Sequence, residues 1–266
     1  MLIQGEGGHY NFIVRTTRKM TSIIIFILLW QLLVQANVMS PLMFGNLPSP
    51  WDVSKTFSTV LTQKIYYYHI FASLYRIILG SMLALPTGVV IGLIIGRSKL
   101  AEDFILPILD ILRPIPQIAW IPVAILLFPS VEGSILYITF LGAFFPILIN
   151  TISGVENVSV SLITAARSLN ASEWQLLKYI YFPSAIPNIF TGFTIGVGIS
   201  WMSVVAAEMI SGKYGIGYYT WTSYTLMAYS ETIIGMITIG AMGTLCFWGI
   251  KFVERYCLRW RADKGG

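Results

Sequence analysis

Histidine and cysteine are almost missing from this 266-residue chain, with two of each. Cys246 and Cys257 stand eleven positions apart in one apolar run. On a helix that is about 16 Å at 1.5 Å per residue, against a limit of about 7 Å between the Cα atoms of a disulfide. Two free thiols are therefore expected. His9 and His69 are too few to supply paired axial haem ligands inside membrane helices. Neither a metal-ligand cluster nor a nucleophile–base spacing is present, which argues against an enzyme. Charge is scarce as well, at 11% of residues where soluble domains carry about 25%. A phosphate-binding G-x-x-x-x-G-K-[ST] loop is also missing, since Gly212-Lys213 is followed by Tyr214. If ATP drives this protein, another chain binds it.

What remains is apolar: 56% of residues are hydrophobic, in runs long enough for membrane helices rather than barrel strands. The reading is an all-α integral membrane protein with about six transmembrane helices. A polar tail (1–20) precedes an apolar run from Thr21 to about Ala36. That run has the basic flank and Val34-x-Ala36 site of a signal peptide but is expected to stay as an uncleaved first span. A proline-containing loop with Pro41, Pro48 and Pro50 leads to a short amphipathic helix. Trp51 and Tyr66–Tyr68 suit an interfacial aromatic belt. The second span (66–96) carries Gly88, Gly92 and Gly96, a spacing that lets two helices approach closely. The third (100–128) is interrupted by Pro107, Pro114, Pro116 and Pro122. Broken helices survive at membrane depth only where protein or a water-filled cavity covers the freed backbone groups, so this span is either pathway-lining or merely kinked. The fourth runs from Ser134 to about Ile152 and the fifth from Asn188 to about Ile210. The sixth runs from Glu231 to about Tyr256, and residues 257–266 form a basic tail.

Charge tests this order of spans. With the N-terminus inside, the inner segments together with the inner end of the sixth span, which carries Lys251 and Arg255, hold twelve Lys and Arg residues. The outer segments hold three, Lys55, Lys64 and Lys213. Arg76 and Arg113 fall within spans. This agrees with the positive-inside rule and explains the net charge of +5 without invoking nucleic acid.

Between the fourth and fifth spans lies the longest amphipathic stretch, residues 156–187. Leu162, Ile163, Ala166 and Leu169 share one helical face. Asn170 suits a left-handed helix end, and Ser172 with Gln175 can form a capping box for a second helix carrying Trp174, Leu177, Ile180 and Tyr181. The residue before a proline is pushed out of the α region, so this helix is expected to stop near Phe182 and Pro183. On periodicity alone the stretch is a solvated hairpin or a docking element.

The stretch resembles the EAA loop of binding-protein-dependent ABC importer permeases, in which Glu-Ala-Ala is followed after three residues by Gly and after nine more by Ile-x-Leu-Pro. Ala165, Ala166, Ile180 and Pro183 stand at the motif positions. Thr164 replaces the Glu, Asn170 the Gly and Phe182 the Leu. Further matches point to the nitrate/sulfonate/taurine/bicarbonate branch: Ala72-Ser73-Leu74-Tyr75-Arg76, Arg113-Pro114-Ile115-Pro116, Val204-Val205-Ala206-Ala207-Glu208-Met209, Glu254-Arg255 and Leu258-Arg259-Trp260. The resemblance implies a type I ABC importer permease core (MetI-like) in a bacterial inner membrane. It implies a second permease copy, two ATP-binding cassette subunits that bind ATP and Mg, and a separate substrate-binding protein. This chain would carry no cofactor of its own. Thr164, Ala165, Ala166, Arg167, Leu169, Asn170, Trp174, Ile180 and Pro183 would form the contact with the ATPase.

Charges inside spans cost about 2.5–3.5 kcal/mol on insertion scales and usually face a partner or a cavity. Arg76, Arg113 and Glu208 are the candidates. An anionic solute suits Arg76 or Arg113, although Arg76 can instead snorkel to the interface. Glu208 is expected in a structural salt bridge or a contact between copies. Pro114, Pro116 and Trp201 are further pathway candidates. Trp201, Trp221, Tyr218, Tyr219 and Tyr224 fit either a route for a ring-bearing solute or interfacial anchoring. Nitrate, bicarbonate, sulfonate, taurine and vitamin-precursor heterocycles all stay open as solutes. The rival class is a secondary transporter or channel with no ATPase. It would need coupling-ion carboxylates, and the spans offer little beyond Asp110 and Glu208.

Overall fold

The computed structural model describes residues 6–36 and 46–259, which leaves Pro41, Trp260, Arg261 and Lys264 outside the described residues. Among those described, the secondary structure is helical throughout. The chain falls into two compact units, one reaching to Gln63 and including Ser223–Ile234, the other comprising Lys64–Thr222 and the chain from Gly235 onward.

In the first unit, α1 (Glu6–Gln35) starts within the expected polar tail, and its apolar part, Thr16–Gln35, is long enough to cross a membrane. The helix α2 (Pro50–Val60) is the short amphipathic helix expected there. Ser49 caps it: the Asp52 amide donates to Ser49 Oγ at 3.2 Å and the Ser49 amide donates to Asp52 Oδ2 at 3.2 Å. The Asp52 carboxyl is held below the usual carboxylate range by the Ser49 hydroxyl and amide.

The second unit is built on three long helices, α3 (Lys64–Arg97), α6 (Val131–Glu156) and α9 (Phe182–Ser211). Glycines bring them together. Gly80, Gly88, Gly92 and Gly96 of α3 lie against Thr139, Ile147, Thr151 and Val155 of α6. A Cβ on Gly92 would sit 2.7 Å from Thr151 Cβ and 2.9 Å from the Leu148 carbonyl oxygen. The Thr139 and Thr151 hydroxyls donate back to Ile135 and Ile147 in their own helix, each at 2.7 Å. The threonines therefore meet the glycines with no unsatisfied polar group, which matters where no water is available. On the other side of α6, Gly192 of α9 approaches Pro146 so closely that a Cβ would lie 2.7 Å from its carbonyl oxygen.

The expected third span is two helices, α4 (Lys99–Leu112) and the 3₁₀ turn Gln117–Trp120 with α5 (Ile121–Leu127), bent 90° apart. The break falls at Arg113–Pro116. Pro107 stays inside α4 and Pro122 sits in the first turn of α5, where a missing N–H does no harm. The last elements are α10 (Ile216–Thr225) and α11 (Tyr229–Cys257). Five described helical segments are long and apolar enough to cross a membrane, six if the bent pair counts as one, in line with the expected number.

Candidate functional site: two ends of one helical core

The first end is the amphipathic loop after α6. It opens with α7 (Val160–Ser168). Asn170 then takes φ +57°. The Ala171 amide donates to the Ala166 carbonyl at 3.1 Å and the Asn170 amide to the Arg167 carbonyl at 2.9 Å, the paired bonds of a Schellman helix end with Asn170 at the left-handed position. Asn tolerates that conformation because its short polar side chain costs less there than a branched one. Ser172 caps α8 (Glu173–Leu176), with both bonds of its capping box to Gln175 in place.

The expected stop at Pro183 does not occur. Instead, Leu177–Tyr181 widens into a π turn that leads straight into α9, and Pro183 lies in the first turn of that helix. The Phe182 amide reaches back five residues to the Leu177 carbonyl. Widening the register relieves the clash between a proline ring and the carbonyl four residues earlier. Tertiary packing holds the turn in place, since Tyr181 rests on Val155, Ala185 and Ile189.

Glu173 fastens this loop. Its Oε2 accepts from Arg97 Nη2 at the end of α3 at 2.7 Å, and its Oε1 from Arg167 Nη2 of α7 at 3.3 Å. Leu176 is fully buried beneath, whereas Val160, Leu162, Leu169, Trp174 and Tyr179 are exposed. Beside Trp174 an open groove of about 720 Å³ runs between Val90, Ile94 and Arg97 of α3 and Leu177, Lys178 and Phe182.

The second end lies 21 residues back along α3, about 32 Å away. Here Glu208 of α9 is fully buried. Its carboxylate accepts from Ser73 Oγ at 2.8 and 2.9 Å, from Arg76 Nη1 at 2.7 Å and from the Gly217 amide at 3.0 Å. The next amides of the same turn are also taken. Ile216 N–H donates to Ser73 Oγ at 2.8 Å and Gly215 N–H to His69 Nδ1 at 3.1 Å. The otherwise unsatisfied N–H groups at the start of α10 thus go to α3 and α9, with a negative charge at the helix N-terminus where the dipole favours it. Gly215 has φ +130°, and a side chain there would collide with the Glu208 carboxyl. Arg76 Nη1 also donates to the Tyr214 carbonyl at 2.6 Å. Its other edge grips a second carboxylate: Nε donates to Glu132 Oε2 at 2.9 Å and Nη2 to Glu132 Oε1. Arg76 is buried, whereas the Glu132 side chain is 57% exposed.

A family described as the binding-protein-dependent transport system inner membrane component matches residues 88–257. The chain belongs to that family. A nitrate import permease protein of Synechocystis is 36% identical to this permease over 249 residues, covering 90% of the chain and 88% of the relative. A bicarbonate transport system permease protein of the same organism is 32% identical over 243 residues, 86% and 84% of the two chains. A Bacillus subtilis permease protein named for aliphatic sulfonates is 32% identical over 242 residues, 91% and 87%. The protein is thus a multi-pass permease subunit of an ABC importer, and the reading as a secondary transporter or channel is set aside.

Thr164, Ala165, Arg167, Leu169, Asn170 and Trp174 of the permease are exposed on the loop, while Ala166, Ile180 and Pro183 are half-buried. The Thr164 hydroxyl, in place of the motif carboxylate, donates within its own helix to the Val160 carbonyl at 2.9 Å. Of the residues named for the pathway, the fold joins Arg76 to Glu208. Arg113, Pro114 and Pro116 are exposed at the break after α4, and Arg113 has no ion pair among the described residues. Trp201 is buried with its indole N–H unpartnered among the described residues, and Gly243 of α11 faces its ring. Sequence reasoning missed Glu132, Ser73, His69 and Glu173 as partners. Glu132, Ser73 and His69 lie tens of residues from the groups they bind, as Glu173 does from Arg97; for the two glutamates the one available signal was an acidic residue standing next to apolar runs.

Proposed function

We propose that two identical copies of this permease form the membrane pathway of an ATP-driven importer in a bacterial inner membrane. The N-terminus and the Glu156–Pro187 loop face the cytoplasm. Two ATP-binding cassette subunits, which bind ATP and Mg and carry out hydrolysis, dock on the loop. A separate binding protein delivers the solute to the opposite face. The solute is a small anion of the kind named for the relatives: nitrate, bicarbonate or a sulfonate.

One observation carries the docking reading. The loop keeps the helix–turn–helix of its motif while leaving Val160, Leu162, Leu169, Trp174 and Tyr179 uncovered, at the end of the core where Arg97, Lys99, Arg167 and Lys178 gather. Exposed apolar side chains amid basic residues, beyond the ends of the spans, fit a protein surface better than lipid. Closure of the ATPase pair would move α7 and α8, and the Glu173 bridges to Arg97 and Arg167 would pass that motion to α3. Thr164, Ala165, Ala166, Arg167, Leu169, Asn170, Trp174, Ile180 and Pro183 form the contact. The solute passes Arg113, Pro114, Pro116 and the unpartnered Trp201 N–H, with Arg76 and Glu208 at the outer end.

The test is purification of the tagged permease from its own cell, mass spectrometry of its companions, and ATP-dependent uptake by the reconstituted complex. Ala165→Glu and Ala166→Glu are expected to abolish uptake at unchanged membrane levels. Normal uptake by both would overturn the docking assignment.

A further inference from the structure

The Arg76 site holds two carboxylates on one guanidinium, and they are not equivalent. Glu208 is fully buried and is fixed by Ser73, Arg76 and the Gly217 amide. It alone balances the Arg76 charge. Glu132 is the surplus anion. Its side chain is 57% exposed, and Arg76 is its one partner among the described residues. It occupies the Nε–Nη2 edge in the two-pronged geometry that guanidinium offers to any group presenting two coplanar oxygens. Removing Glu132 from that edge would leave Arg76 still neutralised by Glu208, so the edge can change occupants without leaving a buried charge unpaired.

We propose that the Nε–Nη2 edge of Arg76 is an exchangeable binding site for a planar oxyanion such as nitrate, bicarbonate or a simple carboxylate, with Glu132 as its resident stand-in. An incoming anion displaces the Glu132 carboxylate into water and takes its two hydrogen bonds. Glu208, Ser73 and the start of α10 form the fixed floor of the site. Glu132 sets the threshold, since a solute must outcompete a tethered carboxylate to enter. This deepens the proposed function and rests on its outward placement of the Arg76 end.

Chemical rescue on the full chain in nanodiscs, without ATPase, tests the site by itself. Glu132→Ala is expected to lower the thermal midpoint. Tens of millimolar nitrate, bicarbonate or formate should restore it by several degrees, whereas chloride at equal ionic strength, which offers no pair of oxygens, should not. Arg76→Lys in the Glu132→Ala background should abolish the rescue, because an ammonium has no planar fork. If Glu132→Ala does not fold, Glu132→Gln serves. Its neutral amide competes poorly with an anion, so nitrate should stabilise it several-fold more strongly than the unaltered protein. Absence of rescue in every variant, or equal rescue by chloride, would overturn the site. In the reconstituted importer, Glu132→Gln should lower KM for the transported planar anion several-fold with little change in kcat. If the importer proves to carry a neutral solute, the functional reading fails while rescue by nitrate still stands, so the two failures are separable.

Discussion

Replacing Arg76 by Met would leave the Glu208 carboxylate buried with only Ser73 and the Gly217 amide to hold it. Glu208 is fully buried, and the Arg76 Nη1–Glu208 Oε1 distance is 2.7 Å, so solvent cannot screen the lost charge. Breaking a buried ion pair from one side costs about 3–5 kcal/mol. At about 2–4 °C per kcal/mol for a chain of this size, the thermal midpoint of the purified permease should fall by roughly 6–20 °C. The sign of a second comparison is more telling than the size of the first. Arg76→Met combined with Glu208→Gln removes both charges, so the double variant should be more stable than Arg76→Met alone, with a coupling of about 2 kcal/mol or more across the mutant cycle. Fluorescence-detected size exclusion after a heating series reads all four proteins. A drop of under about 1 kcal/mol for Arg76→Met, which is what an exposed pair would contribute, or strict additivity in the double variant, would refute the reasoning.

Three further outcomes follow from other parts of the fold. Asn170→Gly should be tolerated within about 1 kcal/mol, whereas Asn170→Val at φ +57° should cost about 1–2 kcal/mol or more, seen as faster proteolysis of the loop. Gly92→Leu places side-chain atoms where Thr151 Cβ and the Leu148 carbonyl oxygen already sit. It should destabilise the α3–α6 contact by about 1–3 kcal/mol or more, read as loss of monodisperse protein in detergent. The Asp52 carboxyl titrates lower in the folded chain than unfolded because Ser49 holds its charged form. Its capping contribution is therefore fully present above the unfolded value, near 4, and is lost as pH falls through the folded one. Hydrogen exchange at the start of α2 should be flat from about pH 5 to 8 after correction for intrinsic rates, and should quicken only in more acid solution.

Local chemistry was legible wherever a residue's partner lies within a few positions of it. The Asn170 helix end, the Ser172–Gln175 box and the glycine face of α3 are cases of this, because capping and helical periodicity act over one or two turns. Pro183 was misleading for the opposite reason. Its effect on the chain depends on whether tertiary packing can hold a π turn, and Val155 of α6 with Ala185 and Ile189 of α9 does so by packing against Tyr181. The segment after Ser211 reads as polar and aromatic, but becomes α10 because groups on α3 and α9 accept its first amides.

By itself the sequence determined that this is a helical membrane protein, where its spans fall, and which amphipathic loop carries the importer motif. These are properties of composition, length and short-range pattern, and the bilayer's demand that each span satisfy its own backbone makes them local. Tertiary structure alone decided that Arg76 meets Glu208 and Glu132, that Glu173 ties α3 to α7, and that the Trp201 indole N–H is buried with no partner among the described residues. The Arg76 and Arg97 pairings join residues 56 to 132 positions apart, and those of Arg76 form only when glycines let α3, α6 and α9 pack backbone to backbone. Pair geometry of that kind depends on the register between helices, which periodicity along any one of them does not specify.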